Sequence, residues 1–142
     1  MKTQINPQDT SRAEAFNLWL SSPMPMVTLT KTFNVSNLLK QSKKLNISFN
    51  ALLCWCIGKA ASQIEEFYLL IEKDKLYKYD KIAINVIVNN KKGGINSCDI
   101  AFNEDLTQFV KDYTQLTQRT SQENKSNFLE DYMIIGTSAM IE

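Results

Sequence analysis

A chain of 142 residues with 16 Lys and Arg, 15 Asp and Glu and a net charge of +1 carries no strong field to draw in nucleic acid or an acidic membrane surface. Its 44% hydrophobic and 22% charged content is that of a single soluble domain. It contains no histidine, which excludes Ser–His and Cys–His dyads and histidine-containing zinc sites within these residues.

The first twelve residues, MKTQINPQDTSR, are polar and lack an apolar signal core. The longest apolar run, around 51–57, is too short to cross a bilayer, and the chain reads as cytoplasmic. The aromatics sit in apolar runs rather than among basic residues, which argues against stacking on bases. Three cysteines, Cys54, Cys56 and Cys98, are an odd count for a disulfide framework. Cys54 and Cys56 lie two apart on a predicted helix and point to different faces. No metal site is expected, and the thiols read as small buried hydrophobes.

Residues 11–20 predict a helix, with Ser11 and Glu14 at capping-box spacing and Phe16, Trp19 and Leu20 grouped on one side. Pro23 and Pro25 end it and favour extended chain. The run MVTLTKTFNV (26–35) alternates β-branched residues and predicts a strand. Asn34 or Ser36 caps a short helix bearing Leu38 and Leu39, closed by lysines.

A longer helix is predicted over 48–63. Its small residues Ala51, Gly58, Ala60 and Ala61 admit a close neighbour, and its apolar breadth predicts burial against a sheet. Residues 76–79 form a short strand. Residues 81–89 form a stronger one, with Ile82, Ile84, Val86 and Val88 alternating on one face. NNKKGG (89–94) predicts a hairpin turn, and GINSCDIAF (94–102) its returning strand. The stripe Leu106, Phe109, Val110, Tyr113 and Leu116 predicts an amphipathic helix capped by Asn103, with Glu104 and Asp105 in its first turn. SQENKSN (121–127) reads as a loop, and a final strand begins within 128–142. The expected fold class is α+β, with helices packed on a mixed or antiparallel sheet.

Taken in order, RAEAFNLW, the TLT strand, FNVSNLLKQSKK, SFNALLCWCIGKAASQIEEFYLLIEKDKLYKYDKI, the hairpin, EDLTQFVKDY and EDYMIIGTSAM resemble the earlier part of chloramphenicol acetyltransferases. The resemblance covers nearly all of the chain. It implies the coenzyme A-dependent acyltransferase fold, acetyl-CoA as acyl donor, a small-molecule alcohol such as chloramphenicol as acceptor, and a homotrimer with sites between subunits. In that family an His-His-x-x-x-Asp-Gly motif supplies the base that deprotonates the acceptor hydroxyl, and a serine hydroxyl holds the tetrahedral oxyanion. The apolar final strand, with no polar tail, reads as the middle of a domain. Residues 1–142 are therefore expected to be a single but truncated acetyltransferase domain, inactive alone.

The same resemblance assigns site residues. Arg12 falls where the family arginine pairs with the aspartate of the histidine motif, and without that partner it reads as a solvated helix-start residue. Trp19 takes the place of a pocket tyrosine, with core packing beside Phe16 and Leu20 as the other role. Leu18 replaces a pocket phenylalanine, and Pro25 lies near the next pocket segment. Ile95 and Ser97 align with pocket positions, against plain sheet-face roles. The oxyanion serine falls around Gly136, with Thr137 and Ser138 as the nearby hydroxyls, against local strand hydrogen bonding. Tyr68 stands where the family usually has arginine, which opens the acceptor to alcohols other than chloramphenicol. Two other roles stay open: a non-catalytic chain docking with full-length subunits, and a binding module without acyl chemistry. The dihydrolipoamide acyltransferases share the fold, but the opening helix and its spacing fit the antibiotic-modifying branch better.

Overall fold

A computed structural model describes residues 1–138. The elements are β1 (Lys2–Ile5), α1 (Ala13–Ser21), α2 (Ser36–Leu45), α3 (Phe49–Ala61), β2 (Leu69–Glu72), β3 (Lys75–Tyr79), β4 (Ile82–Asn89), β5 (Ile95–Ala101), α4 (Leu106–Glu123) and β6 (Met133–Gly136). They make two three-stranded sheets, ordered β1-β3-β2 and β5-β4-β6. The first is antiparallel throughout. In the second, β4 pairs antiparallel with β5 and parallel with β6. The expected α+β class and mixed sheet hold.

The core follows the alternation of β4. Ile82, Ile84 and Val86, with Cys98 and Ile100 from β5, face Cys54 and Ala61 of α3 and Phe109 of α4. Side chains one position off in each strand point to the other face, which places Asn85, Ser97 and Asp99 together there. Gly58 lets α3 approach the end of β5: a Cβ at that position would collide with the Phe102 ring. The hairpin turn is organised by Asn90, whose Oδ1 accepts the amides of Lys92 and Gly94, both at 3.0 Å, while Gly93 takes a φ of +80°.

Helix starts obey capping chemistry, shifted by a residue or two from expectation. Ser48, the first residue of the predicted helix, caps α3, its hydroxyl accepting the Ala51 amide. The Ser11–Glu14 capping box does not form. Arg12 occupies the N-cap of α1 without a side-chain cap, and the Thr10 hydroxyl accepts the Arg12 amide instead. Asp105, rather than Asn103, caps α4 by accepting the Gln108 amide, and Asn103 supports it one step upstream by accepting the Asp105 amide. α4 also runs on through 121–123, read above as loop, and ends where Asn124 turns left-handed.

The larger correction concerns residues 26–35. They form no strand. Met24, Met26, Val27, Leu29 and Phe33 are exposed, Leu29 at 91%, and neither sheet includes this segment. β-Propensity needs a ladder to act on, because an extended chain gains its stability from cross-strand pairs. Conversely, β1 and β2 were not expected from the sequence. β1 is polar and short, and it is held by its register with β3, by Lys2 on Glu72 at 2.6 Å and by the terminal ammonium on Asp80 at 2.6 Å.

All three cysteines are free. Burial pushes the Cys54 and Cys98 thiols up, and the half-buried Cys56 likewise. At pH 8 a maleimide should modify Cys56 first and Cys54 and Cys98 at least about tenfold more slowly, since labelling of sealed thiols waits on local opening. Equal rates for all three in the native chain would contradict this packing. The thiol contribution to stability is full below the unfolded-state pKa and fades as pH rises through the higher folded values.

Candidate functional site

The residues assigned by resemblance fall into two groups. The first lies on α1. Arg12, Phe16 and Trp19 line a small slot of about 170 Å³ closed by Leu69, Ile71 and Leu76 of the β1-β3-β2 sheet, the outer of the two. Phe16 is partly buried and Trp19 is 41% exposed, so Trp19 packs beside Phe16 while keeping one part of its ring open. Arg12 is solvated, as expected above, but not unpaired. Its Nη2 lies 3.2 Å from Glu66 Oε1. Both side chains remain more than a third exposed, and such a pair is worth ~0–1 kcal/mol. Leu18 and Pro25 are exposed and do not line this slot.

The second group lies on the β5-β4-β6 sheet. Ser97 and Thr137 meet through Asn85. The Asn85 amide nitrogen donates to Ser97 Oγ and to Asp99 Oδ1, both at 2.6 Å. The Asn85 carbonyl accepts both the amide and the hydroxyl of Thr137, each at 2.8 Å. Thr137 Oγ1 also stands 3.8 Å from Cys54 Sγ. Asp99, 3% exposed, takes its second hydrogen bond from the Leu129 amide to Oδ2 at 2.9 Å. Residue 127 runs along the outer edge of β5, its amide donating to the Ser97 carbonyl and its carbonyl accepting the Asp99 amide. Ile95 is largely exposed at the hairpin end of the same strand, and Ser138 is exposed just past β6. No hydrogen bond or ion pair among the described residues joins the α1 group to this one.

Sequence reasoning singled out Ser97 and Thr137 as candidates but not Asn85 and Asp99, which belong to the same hydrogen-bonded group. The available signal was the polar side chain interrupting the outward face of β4 (Ala83, Asn85, Ile87) opposite a Ser-x-Asp alternation on β5. A further open cleft of about 580 Å³, lined by Gln4, Asn6, Asp9, Glu65, Glu66 and Lys78 among others, also went unforeseen.

The titratable groups whose pKa is displaced all move away from neutrality. Glu65, Glu72 and Asp80 are lowered by hydrogen bonds from Lys78, Lys2 and the N-terminus respectively. Lys2 is raised by its bond to Glu72. Tyr79 and Tyr113 join the three thiols in being raised by burial. None of these groups is tuned toward the pH 7 range that a general base needs.

The mixed sheet backed by helices, with a short antiparallel sheet beside it, has the fold of a solved chloramphenicol acetyltransferase, which superposes with a TM-score of 0.80 at 21% identity, over 97% of this chain and 69% of its own length. No curated protein sequence matches this chain. The family model described as chloramphenicol acetyltransferase matches residues 2–141. The chain belongs to the chloramphenicol acetyltransferase family. Among the described residues no helix is long and apolar enough to cross a membrane.

Proposed function

We propose that these residues form the acceptor side of an O-acetyltransferase, which moves an acetyl group from acetyl-CoA to a hydroxyl of a small-molecule alcohol. The family match over residues 2–141 carries the reading. In this transfer the acceptor hydroxyl loses its proton to an imidazole, the oxygen bonds to the thioester carbonyl carbon, and the C–S bond breaks. The imidazole returns the proton to the departing coenzyme A thiolate. The 142 residues contain no histidine, so the base comes from polypeptide outside them, in a cytoplasmic assembly that family resemblance makes a homotrimer.

Of the two candidate oxyanion donors, Ser138 suits the role better. The Thr137 proton is committed to the Asn85 carbonyl at 2.8 Å, and freeing it would leave that acceptor with the Thr137 amide alone. Trp19, with its exposed ring, and Ser97, with its hydroxyl, are proposed as the wall and the polar contact for the acceptor. Leu18, Pro25 and Ile95 are exposed residues suited to meeting a neighbouring chain's share of the pocket. Arg12 acts through its pair with Glu66, as a structural tie between α1 and the residues preceding β2.

A second reading, a non-catalytic chain that docks on a complete subunit, is favoured by the exposed apolar stretch 24–33, which has no ladder partner. Calorimetric titration with chloramphenicol and with coenzyme A tests the function. Heat of binding for both ligands supports acetyl transfer. Binding of the alcohol with no coenzyme effect would instead leave a binding module, and binding of neither would remove the acceptor assignment.

A further inference from the structure

We infer that Asp99 and Asn85 are positioning residues that turn the Ser97 hydroxyl into a dedicated hydrogen-bond donor for the acceptor molecule. The inference rests on the acceptor-side reading above and adds a recognition rule to it.

The argument follows from donor and acceptor capacity. An ionised carboxylate can accept hydrogen bonds but cannot donate them. Asp99 is buried, and its Oδ1 lies 2.6 Å from the side-chain amide of Asn85. The amide must therefore turn its NH2 toward β5, and the usual ambiguity between amide oxygen and nitrogen disappears. The second amide hydrogen then goes to Ser97 Oγ, also at 2.6 Å. Having accepted there, the Ser97 hydroxyl keeps its own proton, and it makes no hydrogen bond as donor among the described residues. The Leu129 amide on Oδ2 holds the carboxylate from the other side, so Asp99 accepts from both neighbours and the Asn85 amide donates both to Asp99 and to Ser97.

Orientation makes the same amide present a complementary group. With its nitrogen toward β5, Asn85 Oδ1 receives no hydrogen bond from the described residues and is not sealed from solvent. Asn85 and Ser97 sit diagonally across β4 and β5, on the sheet face turned away from the core that α3 and α4 cover. They offer a donor and an acceptor side by side. The ligand class this recognises is a neutral alcohol that also carries an amide or second hydroxyl, able to accept from Ser97 and donate to Asn85. Removing one partner of such a neutral contact typically costs roughly 3–10-fold in affinity.

The test measures chloramphenicol affinity calorimetrically for the 142-residue chain and for S97A, D99N and the S97A/D99N double variant, with the nitrogen-15 NMR spectrum as a fold check. Asp99→Asn keeps the shape but supplies an NH2, so the Asn85 amide is free to reverse and the Ser97 proton can be drawn inward. Each single variant should weaken binding by about 3–10-fold, and the double variant should lose no more than either. The side-chain amide signal of Asn85 should shift in D99N. A merely structural Asp99 would produce losses that multiply in the double variant, and that result, or unchanged affinity in D99N, would overturn the inference while leaving the acceptor reading in place. Should D99N fail to fold, N85A with S97A decides on the same criterion, because Asp99 then retains its bond from Leu129. An unaltered chain that does not bind chloramphenicol overturns the acceptor reading, and the inference falls with it.

Discussion

Supplied with acetyl-CoA and chloramphenicol, the 142-residue chain should release coenzyme A thiol no faster than the uncatalysed mixture. Adding a histidine-bearing chloramphenicol acetyltransferase chain, itself disabled on its acceptor side, should raise the rate by about 10²–10⁴-fold, the range a positioned general base supplies. The reason is chemical rather than statistical. An alcohol proton must be taken by a group that is both unprotonated at neutral pH and basic enough to attract it, which is the property imidazole has and this chain's side chains lack. Burial and hydrogen bonding here move thiols, phenols and carboxylates the wrong way, as the directions at Cys54, Tyr113 and Glu72 show. Thiol release followed with a chromogenic disulfide measures both arms of the experiment. Turnover by the purified chain unaided would sink the proposal. A mixture that stays silent would argue against complementation between chains and favour a binding role.

Replacing Phe109 by alanine should cost about 3–5 kcal/mol of folding free energy, the range for deleting a buried aromatic ring and leaving a cavity. Phe109 is completely buried between the sheet and α3, with the rings of Phe102 and Tyr113 at 6.2 and 6.4 Å. It meets the face of β4 and β5 opposite Asn85 and Ser97, so the same change should loosen the polar relay. For a chain of this length the melting temperature should fall by roughly 10–15 °C. Phe128, 70% exposed, is the control, and its alanine variant should stay within about 0.5 kcal/mol of the parent. Urea unfolding curves measure both. Equal effects at the two positions would mean that the packing of α4 on the sheet is misassigned.

The elements that could be read from the sequence are those whose signal is local and complete. α4 carries a full apolar stripe, α3 has a serine at its cap and small residues where β5 approaches, and the β4–β5 hairpin is marked by alternation on both sides of an Asn/Gly turn. Residues 26–35 show the opposite case: alternation of β-branched residues with nothing beside it to pair. β1 was illegible for the complementary reason. Its polar residues form a strand because β3 offers a ladder far along the chain, and no local pattern reports that.

The site divides in the same way. Ser97 and Thr137 stand out as candidates through their places in a family pattern, but the group that joins them does not. Asn85 interrupts an apolar strand, and Asp99 follows a serine by two; each looks ordinary until the register sets Asn85 directly opposite Asp99. The partner of Arg12 was likewise hidden, because Glu66 lies in a short 3₁₀ turn well downstream, and nothing local links the two.

The pairing of β1 with β3 also bears on how the polypeptide emerges from the ribosome. The terminal ammonium meets Asp80, 79 positions away. At roughly 5–20 residues per second of elongation, the first strand waits about 4–16 s before its ladder exists. Throughout that interval α1, which lies against the outer sheet, has no surface on which to settle. β1 and α1 are thus made well before the strands that fasten them, and over that interval they stay open to chaperone capture or cleavage.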